Sequence, residues 1–154
     1  MNPENENAHI IDNKHFSYLL IRDYLLGNIL GEHTDEILYW AGKDLARQFP
    51  LKSQEDLYEA MIYCGFGQLE LLKKEKNAQQ YRLESDLVTV RTQNEQVSFQ
   101  LEAGFLAQQI QMTTGLPCEA KAEIIVGKDK KKEVLITLFI EWIKTPEHTG
   151  NELP

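Results

Sequence analysis

The residues of this chain that could do chemistry are few and scattered. Its four histidines, His9, His15, His33 and His148, fall into no HExxH or comparable ligand frame. The run Glu32-His33-Thr34-Asp35-Glu36 offers oxygen and nitrogen donors, but its spacing matches no metal frame. Acidic residues in a first helical turn answer more simply to the helix dipole. The two cysteines, Cys64 and Cys118, form no CxxC pair, and no GxSxG elbow accompanies them. Cys64 lies on the apolar side of a predicted helix, where cysteine serves as a small core residue. Cys118 follows Pro117 at a strand entrance that can leave its thiol exposed, with no electropositive setting to activate it. Gly65-Phe66-Gly67 lacks the Lys-Ser/Thr of a phosphate loop and reads as a helix stop. The lysines of Lys128–Lys132 surround an aspartate without interleaved aromatics, which describes a solvated hairpin tip rather than a nucleic-acid contact. Glu70, Glu84 and Glu102 are carboxylates that spacing alone cannot pair. These patterns give no catalytic residue, no metal site and no cofactor.

Composition points the same way. A chain of 154 residues, 42% apolar and 26% charged, fits one folded domain. Its net charge of -8 repels phosphate backbones, so nucleic acid is not the expected partner. No apolar run approaches the ~20 residues that span a bilayer, and the polar, acidic start is unlike a secretory signal. The expectation is a cytoplasmic protein with free, buried thiols. It comprises a flexible leader over 1–12, one α+β domain over 13–144 and a flexible tail over 145–154.

The elements that must position any site follow from periodicity. Phe16 to Leu30 is apolar nearly all round, interrupted only by Ser17, Arg22, Asp23, Gly27 and Asn28. That is wider than the roughly 100° stripe of a surface helix, so this helix is expected to be buried on more than one side, centrally or against another subunit. A second helix follows from Thr34 or Asp35 to Pro50, and a third from a Ser53 cap to Gly65. Gln68–Lys74, Gln79–Glu84 and Leu87–Thr92 read as a three-stranded meander. A fourth helix, Val97–Thr114, ends at Gly115, and a hairpin over 119–143 closes the fold. Its second strand, Val134–Ile140, is apolar on both faces and should lie centrally, covered on both sides. The layout is α+β, a helical group on a twisted, mostly antiparallel sheet.

Gly42 and Gly104 sit inside helical patterns, where glycine costs about 1 kcal/mol against alanine. Close helix packing or contact with a ligand would each repay that cost. The segments Leu38-Tyr-Trp-Ala-Gly-Lys-Asp-Leu-Ala46 and Glu102-Ala-Gly-Phe-Leu-Ala107 resemble the 4-vinyl reductase superfamily. That superfamily includes the Bet-type subunits of TRAPP complexes and the haem nitric-oxide-binding domains. Over residues 15 to 143 the chain is similar to the YslB-like family of Gram-positive bacteria.

The resemblance implies an apolar pocket between helices and sheet, and homodimers. It also implies that Gly42 and the Gly104-Phe105 step are the conserved helix features. The family's cysteine hairpin is missing at Ala122–Gly127 and no axial histidine matches, so neither metal nor haem carries over. The expected function is therefore a non-enzymatic binding module. It would hold a small apolar molecule or lipid acyl chain near Trp40, Gly42, Phe66, Gly104 and Phe105, or pair as a homodimer through Tyr18, Ile21, Leu25 and Ile29. A protein-assembly module without ligand is the alternative, and an enzyme would require a cleft of convergent polar groups.

Overall fold

The computed structural model describes residues 13–141. The expected leader and tail lie outside them. The chain begins as one helical rod: α1 (Asn13–Leu19), a π-helical turn (Leu20–Leu25) and α2 (Leu26–Leu30) continue without a break in right-handed backbone. Leu26 N–H donates to Ile21 O, the i→i−5 bond that defines the wider turn. Gly31, at φ +63°, ends the rod, because few L side chains tolerate that backbone. A 3-10 turn, Gly31–His33, leads into α3 (Thr34–Gln48). The short α4 (Gln54–Tyr63) starts where the Ser53 side chain accepts the Asp56 N–H at 3.1 Å, the cap expected from sequence.

β1 (Gln68–Lys74) and β2 (Ala78–Glu84) form a hairpin with a register shift between Leu71 and Lys73. The expected third strand is absent: Asp86–Arg91 is a helix, α5, whose Ser85 cap accepts the Val88 N–H at 2.9 Å. An alternating pattern of six residues reads equally as strand or one-sided helix, and here the capping serine decides. α6 (Gln100–Thr114) stops at Gly115 in the left-handed conformation, as expected. β3 (Cys118–Val126) and β4 (Lys132–Ile140) complete a four-stranded antiparallel sheet of order β1-β2-β4-β3.

β4 is central, as its apolar run required. Val134, Ile136, Leu138 and Ile140 point into the core, where Tyr81 and Ala122 flank Ile136 on either side. Its other face is less covered than expected. Leu135 is buried, Thr137 half-buried and Phe139 exposed. α4, α5 and α6 close the inner face of the sheet through Met61, Val88 and Leu106, and Ala46 of α3 joins the same core.

Candidate functional site

The rod is amphipathic in the reverse of the usual sense. Its outward side carries Phe16, Leu20, Ile21, Tyr24, Leu25 and Ile29, with Ile21 56%, Leu25 51% and Ile29 67% exposed. Its inward side carries Leu19, which is buried, and two charged residues, Arg22 and Asp23. The expectation of burial on several sides is thus not met within one chain. The side that faces the body combines an ion-pairing pair with the half-buried Leu26 and Leu30, and the more exposed apolar side faces out. Tyr18, expected on the outward face, turns inward, and its hydroxyl accepts from Arg22 Nη1 at 2.8 Å. In this rod of eighteen residues, the most buried leucine, Leu19 at 9% exposed, contributes about 2 kcal/mol. The ionic contacts of the inward side decide how it sits.

Those contacts form a buried quartet. Arg22 grips Glu102 with both terminal nitrogens, Nη2 to Oε1 at 2.6 Å and Nη1 to Oε2 at 2.9 Å. Arg91 Nη1 reaches the same Oε2 at 2.9 Å. Arg91 in turn holds Asp23 in a second two-pronged pair at 2.8 and 2.9 Å. Both guanidinium groups also donate to Ser98 O, and Arg91 lies over the Phe99 ring at 4.3 Å.

The four charges cancel, which is what allows them to be buried. Burial alone would raise the Glu102 carboxyl, but the two guanidinium groups hold it at about 2. Burial would lower Arg22, and Glu102 reverses this and raises it. The π turn is the local reason both rod residues point inward. Its wider winding narrows the angle between successive side chains and brings Arg22 and Asp23 to one side.

Gly42 and Gly104 are brought together by helix packing. A Cβ on Gly42 would collide with the Leu101 carbonyl oxygen and come within 2.8 Å of Phe105 N. A Cβ on Gly104 would collide with the Tyr39 carbonyl oxygen and come within 2.9 Å of Tyr39 C. α3 and α6 therefore cross backbone to backbone, each glycine admitting the other helix. Phe66 and Phe105 pack edge to face at 5.7 Å in the core.

Trp40 lies apart from them, 60% exposed, beside the buried Lys43. The Lys43 ammonium stands 5.0 Å from the Trp40 ring and 5.2 Å from Tyr39, and it pairs with Glu119. An open cleft of about 500 Å³ between β2, α5 and the β3–β4 hairpin is lined mainly by polar residues, among them Arg82, Thr89, Lys132 and Glu133. A second, of about 470 Å³ beside α2, is lined by Asp23, Asn28, Asp35 and Gln96. Neither is lined by Trp40, Gly42, Phe66, Gly104 or Phe105.

From Cys118 to Ala122 the free edge of β3 is sealed by side chains. Cys118 N–H donates to Gln111 Oε1, Ala120 N–H to Tyr39 Oη at 2.9 Å and Ala122 N–H to Gln100 Oε1. Gln100 Nε2 returns a bond to Ala122 O. These bonds use the donors that would otherwise template another strand. Cys64 departs from its expected core position and is exposed at the end of α4, whereas Cys118 is buried. Burial and then Glu119 push the Cys118 thiol up to about 12. Among the described residues no group of His, Cys, Asp and Glu is arranged to hold a metal, and no helix is long and apolar enough to cross a membrane.

Helices packed on a four-stranded antiparallel sheet, with a leading helical rod, define an α+β fold. The chain is similar to the phenol-responsive sensory domain of the transcription activator PoxR, solved with phenol. The TM-score is 0.53 at 13% identity, covering 89% of this chain and 80% of that one. More remote is a trafficking protein particle complex subunit 3 from Naegleria fowleri, covalently bound to palmitic acid, with TM-score 0.44, 10% identity, and 92% and 98% coverage. An H-NOX protein from K. algicida gives TM-score 0.39 at 10% identity, covering 72% of this chain and 65% of that one. The chain belongs to the family described as "Protein of unknown function (DUF2507)", which matches residues 15–139. It is 33% identical over 138 residues to the uncharacterized protein YslB of Bacillus subtilis strain 168, covering 89% of this chain and 90% of that one.

Proposed function

We propose that the protein is a non-catalytic binding module that works as a homodimer, with the outward face of its rod as the docking surface. The observation that carries this reading is the reversed amphipathicity: Arg22 and Asp23 face in while Ile21, Leu25 and Ile29 face out. Six large apolar side chains, each about half exposed, present several hundred Å² of apolar surface, the scale that marks an interaction site. A second copy suits the face because no charged residue is exposed between Phe16 and Ile29. Two chains of net charge -8 repel in general, but a twofold pairing of rods sets no like charges against each other there. Light scattering on a size-exclusion column tests this across a concentration series. Twice the chain mass at micromolar concentration supports the reading, and the single-chain mass throughout overturns it.

A second reading draws on the fold. The similar sensory domain of PoxR was solved with phenol, and this chain would likewise hold a small apolar molecule or acyl chain between helices and sheet. Phe66 and Phe105 fill that space ring to ring, so a ligand would enter by parting them. Native mass spectrometry of the purified protein, followed by lipid extraction, is the direct test, and a uniformly empty protein sinks this reading.

A further inference from the structure

We propose that the rod is a releasable arm, hinged at Gly31 and latched by the quartet of Arg22, Asp23, Arg91 and Glu102. It leaves and rejoins the body as one unit while the remainder of the domain stays folded. This goes beyond the assembly reading and holds for a single chain.

The division of charge carries the inference. Arg22 and Asp23 belong to the rod, and Arg91 and Glu102 belong to the body. Parting the two surfaces sends one positive and one negative group away on each side, so neither half is left with a net charge to bury. A substitution within the quartet would leave such a charge, but release does not. On the body side the groups keep partners without the rod. Arg91 still donates to Glu102 and to Ser98 O and still rests on Phe99.

Packing agrees. Among the rod's described apolar residues only Leu19, 9% exposed, is buried, with Leu26 and Leu30 half-buried, while its most exposed apolar side chains face away from the body. The body does not need the rod to close. The glycine crossing of α3 and α6 fixes the helical layer, and Tyr39, Gln100 and Gln111 seal the β3 edge. The joint is suited to motion as well. Gly31 has φ +63° with nothing near its Cβ position, and the 3-10 turn after it is short. The π turn carries both of the rod's latch residues, Arg22 and Asp23, so parting the latch frees the rod at that turn. Release would thus withdraw or reorient the apolar face.

Hydrogen exchange read by mass spectrometry tests this in a Leu25→Asp/Ile29→Asp background, where copies cannot pair through the rod. Amides of residues 19–30 should exchange about tenfold or more faster than those of α6 and β4, as a separate opening unit. Adding Arg22→Gln/Asp23→Asn removes the rod's half of the latch and leaves Arg91–Glu102 neutral. It should speed the rod about tenfold further with β2 and β4 unchanged. Rod and core exchanging together would overturn the proposal. So would a rod indifferent to the added substitutions, or a loss of protection in β2 and β4 to match the rod.

Discussion

Arg22 and Glu102, eighty residues apart in sequence, meet as a two-pronged ion pair at 2.6 and 2.9 Å in the interior of the domain. Arg22 comes from the π turn of the rod and Glu102 from the first turn of α6. Their contact fixes which side of the rod faces the body, and therefore which side is left for a partner. The ionic groups set orientation while the apolar groups remain available for association.

Glu102→Gln tests that contact. The substitution leaves two buried guanidinium groups facing one aspartate, a loss on the order of 3–5 kcal/mol. Urea unfolding should show a midpoint lowered accordingly. The pH dependence has a definite sign. The Glu102 carboxyl is held at about 2, below its ordinary value of 4.5, so its contribution is complete above 4.5 and is lost as pH falls toward 2. The wild type should lose stability across that window more steeply than Glu102→Gln does.

The glycines separate close packing from helix propensity. Gly42→Ala and Gly104→Ala each gain up to about 1 kcal/mol of propensity but force a methyl group into the opposing helix backbone. Each should be destabilising by about 1–3 kcal/mol net. Gly27, in the rod with nothing near its Cβ position, is the control. Gly27→Ala should be stabilising by about 0.5–1 kcal/mol. Denaturant midpoints of the three variants decide it, and a stabilised Gly42→Ala or Gly104→Ala would contradict the crossing described.

Much of the fold was legible in the sequence because its signals are local. The Ser53 cap, the Gly115 stop, the β1–β2 hairpin and the central placement of β4 all rest on residues near one another in the chain. The family resemblance was carried by Gly42 and the Gly104-Phe105 step, and its placement in the family stands. The quartet was not legible. Arg22 and Asp23 read as interruptions of an apolar helix, Arg91 fell in an expected strand, and Glu102 was one carboxylate among many. Pairing them takes the long-range geometry of three elements, and no short-range pattern encodes that. The orientation of the rod escaped for the same reason: the wheel shows a wide apolar face but not what lies opposite it. Cys64 was misplaced because it follows α4 as its end residue rather than continuing the apolar stripe.

The thiols give a chemical check on that placement. A thiol reagent at mildly alkaline pH should label Cys64, which is exposed, and spare Cys118, which is buried and pushed up to about 12. Peptide mapping of the labelled native protein reads the site. Labelling should vanish in Cys64→Ser and persist in Cys118→Ser.

The most direct test of the central claim is sedimentation equilibrium of the wild type beside Leu25→Asp/Ile29→Asp. Both residues lie on the outward face, clear of the quartet, so the double variant should stay folded with an unchanged far-ultraviolet circular dichroism spectrum. The wild type should sediment at twice the chain mass and the folded variant at single mass. A wild type that sediments as one chain at high concentration, or a double variant that remains dimeric, would contradict it.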